Sequence, residues 1–168
     1  LKWSKERCQY PVFAGIDWGS GSRSFSYITL GSYFGTDHLW VFYFHRFAGE
    51  ESETDRQLAL VDQLVSEFNV KLLGCDYGYG HDRNDVLMRR YSAQRVFRYQ
   101  YADIADLVRW DPKLGRFLCR RTEAMSMCFG ALKRGVFWLP RWQEMGREGE
   151  LGSEILNIHS EETHRGGL

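Results

Sequence analysis

Two aspartates each close an apolar run and are each followed by an aromatic residue and glycines: Asp17 in VFAGIDWGSGS and Asp76 in VKLLGCDYGYG. Carboxylates at the C-terminal ends of strands, with small residues beside them, leave room for a bulky or charged ligand to come close. Held a few ångströms apart they repel each other, and the arrangement is stable chiefly when a cation sits between them. Magnesium or manganese would provide that charge. In two-metal phosphoryl chemistry the ions lie about 3.5–4 Å apart and stabilise both the attacking and the leaving oxygen. Aspartate also ends strands and caps turns with no further role, so the weight rests on the pair and on a topology that unites them.

Phosphate chemistry also needs cations on the protein, and these cluster late in the chain. Lys113 and Arg116 flank a turn, Arg120 and Arg121 precede a helix, and Lys133 and Arg134 end it, while Arg23, Arg83, Arg89 and Arg90 follow the two acidic loops. Lys133 and Arg134 have a plain explanation, since cations favour helix C-termini. Arg120 and Arg121 stand at a strand-to-helix junction suited to phosphate contact. With 22 basic and 22 acidic residues the net charge is zero, so any grip on a polyanion is local.

Other motifs lead elsewhere less well. GSGSRS loosely resembles a dinucleotide-binding fingerprint, but the residues after it read as strand rather than helix. GIDWGSGS also resembles the first phosphate loop of actin-like ATPases and sugar kinases, whose second phosphate loop and adenosine motif have no counterpart here. Cys8, Cys75, Cys119 and Cys128 form no CxxC pair and have no zinc-like histidine spacing, and read as reduced core thiols of a cytosolic protein. Met125, Met127 and Phe129 read as packing, and His81 and His159 as solvated or structural. No apolar run approaches the ~20 residues of a membrane-spanning helix.

The elements that must position the aspartates can be read from periodicity. Residues 12–18, 25–32 and 38–47 are rich in β-branched and aromatic residues, with turn residues at 35–37, and predict an antiparallel meander. Thr54 with Gln57 fits a capping box for a helix whose apolar face is Leu58, Val61, Leu64, Val65 and Phe68. Residues 70–75 form a short apolar strand ending at Asp76, 85–91 a helix and 95–101 a strand. Asp111 to Gly115 is the turn of a hairpin within 108–121. Thr122 and Glu123 open a helix with Met125, Cys128, Phe129 and Leu132 on one face and Gly135 just past its end. A short strand at 136–139 and a final helix at 154–163 complete the pattern. This order suits one domain of mixed α/β class, with the first strand central between the meander and the parallel strands. The ends of the first and fourth strands, and with them Asp17 and Asp76, then face one crevice.

Three stretches together, VFAGIDWGSGSRSFSYITLGS, HRFAGEESETDRQLALVDQLVSEFNVKLLGCDYGYGHDRND and CRRTEAMSMCFGALKRGVFWLP, resemble the nuclease domain of a tailed-bacteriophage terminase large subunit, over residues 12–166. The resemblance implies a ribonuclease-H-like fold and an endonuclease that cuts concatemeric viral DNA during genome packaging in the host cytoplasm. It implies two magnesium or manganese ions held by Asp17 and Asp76. It implies as partners double-stranded DNA, an ATPase domain of the same chain preceding Leu1, a portal protein and a small terminase subunit. The DNA contacts are expected at Arg120, Arg121, Arg23, Arg83, Lys113 and Arg116. The family's third carboxylate sits on a C-terminal helix in a context that ETHRGGL does not reproduce. It is expected beyond Leu168, with Glu161 or Glu162 as weak substitutes. Two other readings stand beside this one. The first is a resolvase- or integrase-type nuclease of the same fold, for which a more basic charge is expected. The second is an inactive docking module of a packaging motor.

Overall fold

Val12–Asp17 (β1) lies near the middle of an eight-stranded mixed sheet because both of its edges are paired. On one side it runs antiparallel to Ser26–Phe34 (β2), which pairs antiparallel with His38–Phe47 (β3). On the other it runs parallel to Val70–Asp76 (β4), which is parallel to Val96–Tyr101 (β5). The computed structural model describes residues 10–19, 25–35 and 37–139. Arg116–Cys119 (β7) adds parallel to β5, Val108–Asp111 (β6) pairs antiparallel with β7, and Phe137–Trp138 (β8) joins the far edge beside β3. The spatial order is β6-β7-β5-β4-β1-β2-β3-β8. This is the mixed arrangement expected from the sequence, with the meander on one flank of β1 and the parallel strands on the other.

The connections into β4 and β5 each carry a helix. Thr54–Glu67 (α1) links β3 to β4 and His81–Tyr91 (α2) links β4 to β5. Both pack against one face of the sheet. In β1 the side chains alternate, with Val12, Ala14 and Ile16 buried and Gly15 and Asp17 on the opposite, open face, where the Asp17 carboxylate is still partly shielded from solvent. The buried set meets Ile28 and Leu30 of β2, Leu73 and Cys75 of β4, Val61, Leu64 and Val65 of α1, and Leu87 of α2. Each such aliphatic side chain stabilises the fold by about 1.5–3 kcal/mol relative to exposure. Asp62 of α1 fastens the two helices by accepting from Tyr91 Oη at 2.6 Å and pairing with Arg90. The strand period of two leaves Gly15, Asp17 and Asp76 on the opposite face, away from the helices.

Several local expectations are corrected. The capping box does not form: Glu53 is the N-cap of α1, without a side-chain cap bond, and Thr54 is the first helical residue. Gln57 is instead buried in the helix–sheet interface. α2 starts at His81 rather than Asp85. Arg121–Lys133 (α3) has no buried residue, and Cys128 on its expected apolar face is exposed. Among the described cysteines only Cys75 is a core thiol. Cys119 is half-buried, and Cys8 lies outside the described residues. Gly135 does hold the left-handed position after α3, with φ +69°. The helix expected at 154–163 lies outside the described residues.

Candidate active site

The register of the two central parallel strands places the two aspartates. Gly15 pairs with Gly74 and Ile16 with Cys75, so Asp17 and Asp76 come next, side by side at the C-terminal ends of β1 and β4. Asp17 lies opposite Tyr27 of β2, and Asp76 opposite Tyr99 of β5. Burial raises the Asp17 pKa above the ordinary 3.8, and the Arg121 guanidinium opposes that rise. Burial also raises Asp76, and the charge of Asp17 raises it further, while the backbone N–H groups of Gly78 and Tyr77 bond to its carboxylate and pull the other way. The two carboxylates therefore sense each other across the strand pair.

The glycines have a different use from the one their spacing suggests. A Cβ on Gly78 would lie 2.7 Å from Asp76 Oδ2, so this glycine lets the chain turn back over the carboxylate it binds. A Cβ on Gly80 would lie 1.7 Å from the Trp18 ring. Both glycines in DYGYG thus admit the protein's own atoms. Gly21 lies outside the described residues.

Aromatic residues wall the pair on the β5 side. Tyr99 and Tyr101 are two apart on one strand face, with ring centres 6.0 Å apart. Burial pushes the Tyr99 phenol far above its usual range, with the charges of Asp17 and Asp76 adding to the effect, so it stays a neutral hydroxyl. Burial also raises Tyr101, with Arg121 opposing. Neither tyrosine is singled out by the sequence reading; alternation in VFRYQY puts them on one strand face, and the register of β5 against β4 makes it the face of Asp76.

The expected cations separate into groups. Arg121 reaches the pair: it acts on Asp17, and its guanidinium lies 5.6 Å from the Tyr101 ring centre. Arg120, beside it, is tied to Glu123 at 2.5 Å. Together with Tyr101, Asp103 and Thr122 they line an open depression of about 550 Å³. Arg116 covers the Tyr77 ring at 3.7 Å, one residue past Asp76. Arg83 is half-buried, 5.1 Å from the Trp18 ring centre, with its pKa lowered by burial, so it packs on the indole. Lys113 stands at the hairpin turn, where its backbone N–H donates to Asp111 Oδ1 at 2.9 Å. Arg98, not expected from sequence, pairs with Asp85 at 3.1 Å and donates to the Gly115 carbonyl at 2.9 Å, which docks the hairpin beside α2. Arg23, Glu161 and Glu162 lie outside the described residues.

The donor set fits a hard divalent cation. Two carboxylates on adjacent strand ends offer oxygen ligands alone, and the neighbouring Cys75 thiol points to the core with its pKa pushed up to about 12. Among the described residues no group of three or more His, Cys, Asp or Glu gathers, so this pair would retain several waters on any ion it held.

No protein-family model matches the chain, and no curated protein matches it. Among solved structures it is similar to Thermus thermophilus RuvC ("T. thermophilus RuvC in complex with Holliday junction substrate"), with 18% identity and a TM-score of 0.41, over 54% of this chain and 64% of that one. It is also similar to the yeast mitochondrial Holliday junction resolvase Ydc2, with 11% identity and a TM-score of 0.43, over 90% of this chain and 79% of that one. The chain thus spans under two thirds of the length of the RuvC chain.

Proposed function

We propose that this chain is a divalent-metal-dependent DNA endonuclease in which Asp17 and Asp76 hold the cations. The observation that carries the reading is the register of β1 against β4, which sets two carboxylates side by side on the open face, each with a raised pKa. Like charges this close are a cost that a cation would relieve. Magnesium or manganese bound there would lower the pKa of a bound water and stabilise the oxygens entering and leaving an in-line phosphodiester displacement. Asp76 is held for that task by the backbone N–H groups of Tyr77 and Gly78. Arg121, close to Asp17 and open to the depression at the start of α3, offers its guanidinium to a phosphate oxygen of the strand being cut. Arg120, Arg116 and Lys113 extend the basic border toward flanking phosphates, contacts that orient DNA without reading its sequence. The family resemblance implies a third carboxylate as well, for which Glu161 and Glu162, outside the described residues, are weak substitutes.

Within this class the motif resemblance favours the nuclease domain of a terminase large subunit. That enzyme would cut concatemeric DNA in the host cytoplasm beside an ATPase domain, a portal protein and a small subunit. The second reading is a resolvase-type nuclease, the kind of protein to which both similar structures belong. One assay tests the class and separates the two. The protein is incubated with supercoiled plasmid, linear duplex and a synthetic four-way junction, with manganese, magnesium or chelator. Metal-dependent cutting of plasmid and duplex without sequence preference supports the packaging nuclease, and incision confined to the junction supports the resolvase. Intact DNA in all three, with folded and metal-loaded protein, overturns the nuclease reading. Cutting that survives in both Asp17→Ala and Asp76→Ala places the site elsewhere.

A further inference from the structure

We infer that Asn84 is a positioning residue that ties the two aspartate-bearing strand ends to each other through the indole of Trp18. The inference rests on the reading of Asp17 and Asp76 as cation ligands. Trp18 follows Asp17 directly and is 2% exposed, and Asn84 of α2 is 0% exposed. The Trp18 Nε1–H donates to Asn84 Oδ1 at 2.8 Å, and Asn84 Nδ2 donates to the backbone carbonyl of Asp76 at 2.8 Å. One buried amide therefore bridges the residue next to one carboxylate and the main chain of the other.

The chemistry allows only one orientation. An indole N–H can only donate and a backbone carbonyl can only accept, so the amide must turn its oxygen to Trp18 and its nitrogen to Asp76. A buried amide costs stability unless its polar atoms are bonded. An aliphatic side chain of similar size would fill the same space without that requirement, so packing alone does not call for asparagine.

The surroundings fix the bridge. Trp18 lies against Gly80, the N-cap of α2, where any Cβ would be 1.7 Å from the ring. Arg83 covers the indole. Beyond Trp18, the Gly19 N–H donates to Ser26 Oγ at 3.0 Å, so the chain leaving Asp17 is also held by β2. The backbone ladder between β1 and β4 ends at Ile16 and Cys75. Past that point the Trp18–Asn84–Asp76 bridge takes over the spacing of the two carboxylates. Groups one step removed from a metal ligand typically change affinity about 10–100-fold when removed.

The test is manganese binding by calorimetry on the full chain, which does not depend on cleavage. Trp18→Phe keeps the ring and removes its N–H, and Asn84→Leu removes both bonds. Val61→Ala, a fully buried change in α1, is the control for lost stability without a broken bridge. The expected result is about 10–100-fold weaker manganese binding in Trp18→Phe and Asn84→Leu at a temperature where both are folded, with Val61→Ala close to wild type. Wild-type affinity in both bridge variants overturns the role of Asn84 and leaves the metal site standing. Equal weakening in Val61→Ala also overturns it, because any loss of stability would then suffice. Wild-type protein that binds no manganese, or binds it equally well as Asp17→Asn and Asp76→Asn, overturns the site itself and the bridge's role with it. If Asn84→Leu does not fold, Trp18→Phe decides. If neither folds, hydrogen exchange of the Trp18 indole in wild type decides: slowing on metal saturation supports the coupling and no change overturns it.

Discussion

Burial raises the pKa of both Asp17 and Asp76; Arg121, the first residue of α3, opposes the rise at Asp17, and the charge of Asp17 adds to it at Asp76. The two carboxylates are therefore unequal: the first has a cation beside it, and the second has backbone N–H groups and a like charge. This inequality governs how the site responds to pH, to metal and to substitution.

Stability should fall as pH rises through the window that opens above 3.8, the ordinary value for both aspartates. Both folded pKa values lie above it, so the folded state binds more protons than the unfolded chain there, and the stability gained in acid is lost once both groups ionise. Asp17→Asn removes the repulsion and should leave stability at pH 7 unchanged or higher by less than about 1 kcal/mol, since solvent screens the pair. Thermal denaturation of wild type and variant from pH 4 to 8 checks this. A variant that unfolds at neutral pH would make Asp17 a structural cap.

Manganese or magnesium should raise the melting temperature at neutral pH, with the effect fading in acid. Ligands must be deprotonated to bind a cation, and the raised pKa values move that loss above the range of ordinary carboxylates. At about 100 times the dissociation constant the gain corresponds to about 2.7 kcal/mol. Melting curves with and without metal measure it, and Asp76→Asn should show no gain.

Gly80→Ala and Gly78→Ala should fail differently. At Gly80 the new methyl would meet the Trp18 ring at 1.7 Å, and overpacking of this kind costs about 1–3 kcal/mol. At Gly78 it would meet the Asp76 carboxylate at 2.7 Å, which is displaced more readily than a buried indole. Gly78→Ala should keep most of its stability and lose metal affinity. Urea denaturation and manganese calorimetry on both variants separate the two outcomes.

Replacing Arg120 and Arg121 with alanine should weaken binding about equally for unrelated duplexes. Contacts to phosphate carry no sequence information, and each one lost lowers the slope of log affinity against log salt by about 0.9. Of the two single variants, Arg121→Ala should have the larger effect, because Arg120 is already paired with Glu123. It should also raise the pH at which metal binding is lost, since Arg121 opposes the rise that burial imposes on the Asp17 pKa. Fluorescence anisotropy across salt concentrations measures the first effect and a pH series of metal binding the second.

Period and turn chemistry settled much by themselves. The third strand is legible at His38–Phe47, a run dense in aromatic residues, and the hairpin turn at Asp111 to Gly115 follows from Pro112 and Gly115, which takes φ +60° in the fold. The placement of Asp17 and Asp76 at strand ends was equally legible, because an apolar run that stops at a carboxylate states its own boundary. Tertiary structure decided what no local pattern encodes. The first turn of α2, His81-Asp82-Arg83-Asn84, has no apolar period, and it is helical because Gly80 and Asn84 dock on Trp18, sixty-six positions from Asn84. Arg83 reads as a phosphate ligand, and the fold adds what sequence did not show, its place over that indole. Arg121 and Asp17 are neighbours only because α3 begins where the parallel strands end. Local sequence fixes dihedral preferences and which face is apolar, so it determines elements and their ends. The partners of a polar side chain depend on which elements meet, and that is set by burying the whole sheet face at once.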